Sequence, residues 1–238
     1  MITNSAALRQ VFQNRHVVLP VIHVTSTAQA LENASIARDA GADGVFLINH
    51  AMSSEELLSA HVAVRARFPN WWIGVNCLDL EPEQVFERIT DSVNGVWTDN
   101  AMIDEANEAQ PLAQKVLDSR NQRGWSGLYF GGVAFKYQRR VEDLAAAARR
   151  AMRYMDVVTT SGSGTGHAAD VNKIRVMKEA LGTFPLAIAS GITPENVAEY
   201  MPHADCFLVA TGISKSFEEL DPAKVKALIQ VVCSRLGG

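Results

Sequence analysis

The sequence predicts an α/β protein, a single (β/α)8 barrel over residues 1–238, and three observations lead there. The chain has 238 residues, close to the size typical of one eightfold barrel and long for a single sandwich or bundle. Eight short apolar runs alternate with longer stretches of helical period, an order that specifies a parallel sheet. Most of the runs are apolar throughout, as parallel strands covered on both faces must be. Eight such units without a charge block or low-complexity linker favour closure over an open doubly wound sheet.

VVLPVIHV (17–24) reads as the first strand, followed by a helix to Ala40 with Gly41 as its stop. GVFLIN (44–49) is the second. The helix after it carries Leu57, Leu58, His61, Val62 and Phe68 along one face, with Ser53 or Ser54 as its cap. WWIGVN (71–76) is the third strand, and Pro82 opens the next helix. GVWTD (95–99) is the fourth, with a helix over 107–122. The fifth run, GLYFGGVAFK (127–136), is long, and its Gly131-Gly132 pair suggests a bulge or bend.

A helix over 141–153 leads to DVVTT (156–160), then to a helix with Val171, Ile174, Met177 and Leu181 at helical spacing. FPLAIAS (184–190) is the seventh strand. Thr193 can cap the short helix that Pro194 enters. DCFLVA (205–210) is the eighth. Residues 213–220 can form a short extra helix before a last one that starts near Pro222, with Val225, Leu228, Ile229, Val232 and Leu236 on one face.

Hydrophobic residues make up 47% and charged residues 20% of the chain, with a formal net charge of −4. That balance is ordinary for a soluble domain and argues against a nucleic-acid partner, which calls for a basic patch or stripe. No run approaches a membrane span, and MITNSAALRQVF has no apolar core of signal-peptide length. A cytoplasmic protein is expected. Cys77, Cys206 and Cys233 stand far apart in apolar stretches, read as buried free thiols, and no Cys/His spacing suggests structural zinc. The Trp71-Trp72 pair fits the barrel bottom, the core or a subunit contact, which leaves homo-oligomerisation open.

In such barrels the active site lies at the C-terminal ends of the strands. The polar residues there are His23, Asn49, His50, Asn76, Asp79, Asp99, Asn100, Lys136, Thr160, Ser161, Ser190 and Thr211. Three glycine-bearing turns point to a phosphate: Ser161-Gly162-Ser163-Gly164-Thr165-Gly166 after strand six, Ser190-Gly191 after strand seven and Thr211-Gly212 after strand eight. Glycine lets the backbone approach an anion and aim successive N–H groups at it, and Ser and Thr hydroxyls add donors. The helix expected at 213–220 would add the partial positive charge of its N-terminus. The run at 162–166 is not G-x-G-x-x-G and there is no P-loop, so neither NAD nor a P-loop nucleotide is expected, and no cofactor or metal is called for.

Across from these loops, Lys136 suits an electrostatic clamp on phosphate or enolate oxygens better than a Schiff-base nucleophile. Asp99 is the candidate general base, Asn76 orients substrate and His23 is a candidate acid or base.

AGADGVFLIN (40–49), IGVNCL (73–78), the VAFKYQ stretch around Lys136, MDVVTTSGSGTGHAADVNKIRVMKEAL (155–181) and ASGITPENVAEYMPHADCFLVATGI (189–213) together resemble the BtpA/SgcQ family. The resemblance implies a ribulose-phosphate-binding-like TIM barrel, in a family with one member type associated with photosystem I biogenesis and another with a carbohydrate gene cluster. VLPVIHVTST lacks the proline-rich loop expected after the family's first strand, and WTDNAMIDEA is only loosely similar. The expectation is an enzyme of lyase, isomerase or glycosyl-transfer type acting on a sugar phosphate or nucleotide-like metabolite. The alternative is a noncatalytic assembly or regulatory factor that senses such a ligand.

Overall fold

The computed structural model describes residues 7–234. Eight parallel strands, β1 (Val17–Val24), β2 (Gly44–Asn49), β3 (Trp72–Asn76), β4 (Gly95–Thr98), β5 (Leu128–Gly132), β6 (Val157–Thr160), β7 (Leu186–Ala189) and β8 (Cys206–Val209), close into a barrel in sequence order. The β1–β8 seam pairs Val17 with Cys206 and Pro20 with Val209. Every residue of the eight strands is buried, which accounts for apolar runs that do not alternate with polar residues.

A short helix, α1 (Ala7–Val11), precedes the barrel. Seven more follow β1 to β7 in turn: α2 (Thr27–Asp39), α3 (Ser54–Arg67), α4 (Pro82–Arg88), α5 (Pro111–Arg123), α6 (Leu144–Ala151), α7 (Val171–Leu181) and α8 (Val197–Tyr200). The last, α9 (Pro222–Ser234), follows β8. Their starts are chemically marked. Ser26 caps α2, and Ser53 with Glu56 forms a capping box on α3.

The barrel interior is a separate apolar cluster from the shell between strands and helices. At its centre Phe46 meets Trp72, Trp97 and Phe130 edge-on, with ring centroids 5.1 to 5.7 Å apart. Trp72 belongs to this interior and packs on Phe12, while Trp71 lies in the outer shell and donates its indole N–H to the Ala42 carbonyl. Both tryptophans are core residues. Ala7, Leu8 and Phe12 join the interior cluster, so the α1 segment plugs the N-terminal end. The opposite end carries the mouth.

Several elements differ from their sequence expectation. β5 ends at Gly132, because Ala134 and Tyr137 take left-handed backbone, with φ of 49° and 63°, and turn the chain out of the sheet. α5 starts at Pro111 rather than 107, since the Gln110 side chain folds back onto the Asp104 backbone and the Asn107 carbonyl. α6 starts after Asp143, which accepts from the Ala146 N–H. The cap of α8 is Asn196, with Thr193 bracing the turn before it.

Residues 213–220 do not form a helix. A single 3-10 turn covers Thr211–Ile213, and the chain then folds back so that Ser214 bridges Leu220 and Lys215 N–H donates to the Glu219 carbonyl. Side chains of α2 select this path: Gln29 and Asn33 both donate to the Glu218 carbonyl, and Asn33 Oδ1 accepts from Leu220 N–H. Cys77 and Cys206 are buried as expected, but Cys233 is exposed, lying off the α9 face made by Val225, Leu228, Ile229 and Val232. Leu236 and residues 1–6 lie outside the described residues.

Candidate active site at the barrel mouth

The C-terminal ends of the strands surround a cavity of about 280 Å³, at the small end for ligand sites and sized for a small metabolite. Its floor is apolar, made by Val21, Ile48, Trp97, Ala189 and Leu208. Above the floor two kinds of wall face each other. On one side stand His23, His50, Asp99 and Lys136; on the other, Thr165, Gly166, Ser190 and Thr211.

The second wall is made by three loops packed into one another. Gly166 N–H donates to Ser190 Oγ at 3.1 Å, and that hydroxyl donates to the Gly164 carbonyl at 2.9 Å. Ser190 is held at φ 99°, a left-handed conformation that costs a non-glycine residue of order 1–3 kcal/mol and tends to occur at functional sites. A Cβ on Gly191 would overlap the Ala168 backbone, and one on Gly212 would overlap the Ile192 carbonyl. These glycines are therefore required by loop-on-loop packing. Among the described residues neither the Gly191 nor the Gly212 N–H meets a protein acceptor.

Ser161 and Gly162 stand behind this wall. The Ser161 hydroxyl is fully buried, accepts from the Lys136 N–H at 2.8 Å and donates to the Gly162 carbonyl. Gly162 packs under the His167 and Ala168 carbonyls, and Gly164 sits against the His167 ring. In the cavity lining their place is taken by Thr165 and Gly166.

The first wall is ionisable. Asp99, just past β4, accepts from Asn76 Nδ2 at 2.9 Å. Burial pushes its pKa up, against the opposing pull of Asn76, Lys136 and His50. Asn76 is itself buried and acts on the cavity through Asp99. Lys136 Nζ donates to Thr165 Oγ1 at 3.2 Å and so spans the two walls. His23 is pushed down to about 4, chiefly by burial, then by His50 and Lys136, so its ring is neutral at pH 7. Phe217 covers it, with ring centroids 3.9 Å apart, and meets His50 edge-on at 5.2 Å. Two buried polar atoms on cavity-lining residues, His23 Nδ1 and Trp97 Nε1, have no partner.

The remaining candidates have structural partners. Asn49 and Asp79 tie the loops after β2 and β3 together: Asn49 Nδ2 donates to Asp79 Oδ1 at 2.7 Å, and Asp79 accepts from the Ser54 N–H and hydroxyl. Asn100 closes a turn onto the Met102 N–H, and the Thr160 hydroxyl donates to the Ala134 carbonyl. His50 lines the cavity, as its place at a strand end suggests, while Thr165 and Gly166 carry a signal only as parts of the run 161–166, and Trp97, Tyr137 and Leu78 carry none. Leu78, Tyr137 and Phe217 are exposed apolar residues around this mouth, a pattern that a fold-only reading of the sequence does not reveal.

Residues 124–234 match the BtpA family. The BtpA match runs from β5 to α9 and takes in Lys136 and all three glycine-bearing loops. It leaves out His23, Asn76 and Asp99.

An N-(5'-phosphoribosyl)anthranilate isomerase of Halobacterium salinarum is 31% identical over 103 residues, 37% of this chain and 47% of that one. The curated relatives are matched over only 23% to 47% of their length. Over the whole barrel, the phosphoribosyl anthranilate isomerase of Thermus thermophilus superposes with a TM-score of 0.65 at 17% identity, covering 92% of this chain and 99% of that one. The (S)-3-O-geranylgeranylglyceryl phosphate synthase of Thermoplasma acidophilum, in complex with sn-glycerol-1-phosphate, superposes at 0.67 with 14% identity and covers 98% of both chains. These superpositions bear out the (β/α)8 TIM barrel. No helix among the described residues is long and apolar enough to cross a membrane.

Proposed function

We propose that the barrel mouth binds a small phosphorylated metabolite and that the protein is an enzyme acting on it. The observation that carries this reading is the convergence of the loops after β6, β7 and β8 on one cavity, opposite Asp99 and Lys136. The phosphate is assigned to the side of Ser190, Gly191, Thr211 and Gly212, with Gly166 and Thr165 closing it. The unused N–H groups of Gly191 and Gly212 suit an anion there. This is also the phosphate position common to barrels of this class. Names among the relatives agree: one acts on a phosphoribosyl compound and another was solved with a glycerol phosphate.

The opposite wall supplies acid–base chemistry. A carboxylate made more basic by burial is suited to removing a proton, and Asp99 takes that role, held in orientation by Asn76. Lys136 stabilises the oxyanion that forms, as an electrostatic clamp. Neutral His23 exchanges hydrogen bonds with the substrate and does not add charge. The unpartnered His23 Nδ1 and Trp97 Nε1 favour a ligand that carries oxygen or nitrogen groups over a plain hydrocarbon. Proton transfer at a sugar-phosphate carbon, as in an isomerase or lyase, fits these roles best.

Calorimetric screening of phosphorylated metabolites beside their dephosphorylated forms tests the ligand class. Binding of the phosphate esters alone is expected, and equal binding of the dephosphorylated forms would refute it. Catalysis has its own test in Asp99→Ala and Lys136→Ala. If both variants fold, bind the ligand and fully restore a deletion strain, the barrel is a noncatalytic sensor.

A further inference from the structure

Lys136 reaches the mouth from an irregular turn, and what holds that turn is a second lysine. Lys173 lies on the first turn of α7. Its ammonium donates to the Ala134 carbonyl at 2.6 Å and to the Ser161 carbonyl at 2.7 Å. Ala134 is the residue whose left-handed φ of 49° turns the chain out of β5. Ser161 is fully buried and accepts from the Lys136 N–H. Between Ala134 and Lys136 stands only Phe135, buried against Trp97 with ring centroids 6.0 Å apart. Both carbonyls gripped by Lys173 thus belong to residues that fix the backbone of Lys136.

We propose that Lys173 is the positioning residue for Lys136: it locks the strained turn after β5 to the loop after β6, and so sets where the Lys136 ammonium stands between the two walls. The chemistry of the lock is that of charge-assisted bonds, shorter and stronger than those of a neutral donor. Burial lowers the Lys173 pKa to about 8, with Asp170 opposing the shift, so the charge is kept at pH 7 against a desolvation cost. Holding α7 against the barrel would not require that cost, because an apolar side chain of similar length would pack there without it. The significance of the placement rests on the mouth being the ligand site; the placement itself does not.

The test compares wild type with Lys173→Met and Lys173→Arg. Each is treated with an amine-acylating reagent, and the modification of Lys136 relative to Lys226, an exposed lysine on α9, is read by peptide mass spectrometry. Inorganic phosphate and ribose 5-phosphate affinities are measured alongside by calorimetry. Lys173→Met should change the Lys136 to Lys226 ratio by about fivefold or more, since a displacement of about 1 Å is enough to alter the reactivity of a positioned group. Lys173→Arg, which keeps charge and donors, should return the ratio towards the wild-type value.

An unchanged ratio in a Lys173→Met protein with native circular dichroism would overturn the proposal. Should that variant not fold, Lys173→Gln, which loses the charge and shortens the reach to the Ala134 and Ser161 carbonyls, takes its place, and a ratio unchanged there overturns it equally. Wild-type protein that binds neither phosphate nor ribose 5-phosphate would instead remove the ligand reading, leaving the acylation ratio to decide the role of Lys173.

Discussion

The two walls of the barrel mouth are made of different material. The wall after β6, β7 and β8 is backbone fitted to backbone, where Gly191 and Gly212 are fixed by the lack of room for a Cβ and Ser190 bears a strained φ. The wall of His23, His50, Asp99 and Lys136 is side chain, and its character comes from burial acting on ionisable groups. The first can be broken only by shape. The second responds to charge and pH, so a substitution that devastates one should be mild in the other.

The largest effect is expected from Gly191→Val. Its φ of 70° disfavours any side chain, and the Cβ would collide with Ala168. Thermal unfolding should register a loss of about 3 kcal/mol or more. A near-neutral result would show that the loops yield and the wall is not rigid.

Acid should attack the other wall. The folded pKa of His23 is about 4, below its value of 6.5 in the unfolded chain, so between those values the unfolded state binds more protons. Its contribution is complete above pH 6.5 and is lost as the pH falls towards 4, up to about 3 kcal/mol. His61, buried on α3 away from the mouth, is also lowered to about 4. In urea titrations across that range, His23→Gln and His61→Gln should each flatten part of the slope. If His61→Gln flattened it entirely, folding would not lower the pKa of the mouth histidine.

Asp99→Asn is the sharper probe of function. It keeps an oxygen for Asn76 and removes a buried charge, so stability should stay within about 1 kcal/mol of wild type. Turnover of the identified ligand should fall by about 10²–10⁴ if Asp99 is the base. Smallest of all is Arg175→Ala on α7. It breaks an exposed pair with Glu179 and should cost less than about 0.5 kcal/mol. A larger cost would point to a role for that outer face.

The same contrast explains what was legible in the sequence. Strands buried on both faces announce themselves as apolar runs, and glycine-bearing turns after the last three mark a place where backbone must come close. Asp99 and Lys136 could be named because each ends an apolar run, at 95–99 and 127–136. The partners that give them their setting could not. Ser161 reads as a ligand donor beside two glycines, yet its hydroxyl is spent on Lys136. Lys173 is an ordinary helix lysine in sequence, since nothing local reveals that α7 aims it at two carbonyls. The residues 213–220 have the composition of a short helix, but long-range bonds from Gln29 and Asn33 override that local preference.

Those bonds from α2 have a kinetic consequence. Gln29 and Glu218 are 189 positions apart, and the β1–β8 seam beside them pairs residues at the same separation. Contacts of such separation repay their loop-closure entropy only after most of the chain is in place. Closing the ring is then a late event, and the seam should be largely unformed at the transition state. Asn33→Ala should accordingly speed unfolding while leaving the folding rate nearly unchanged. The loop that carries Phe217 over His23 is thus fastened last, by the first full helix of the barrel.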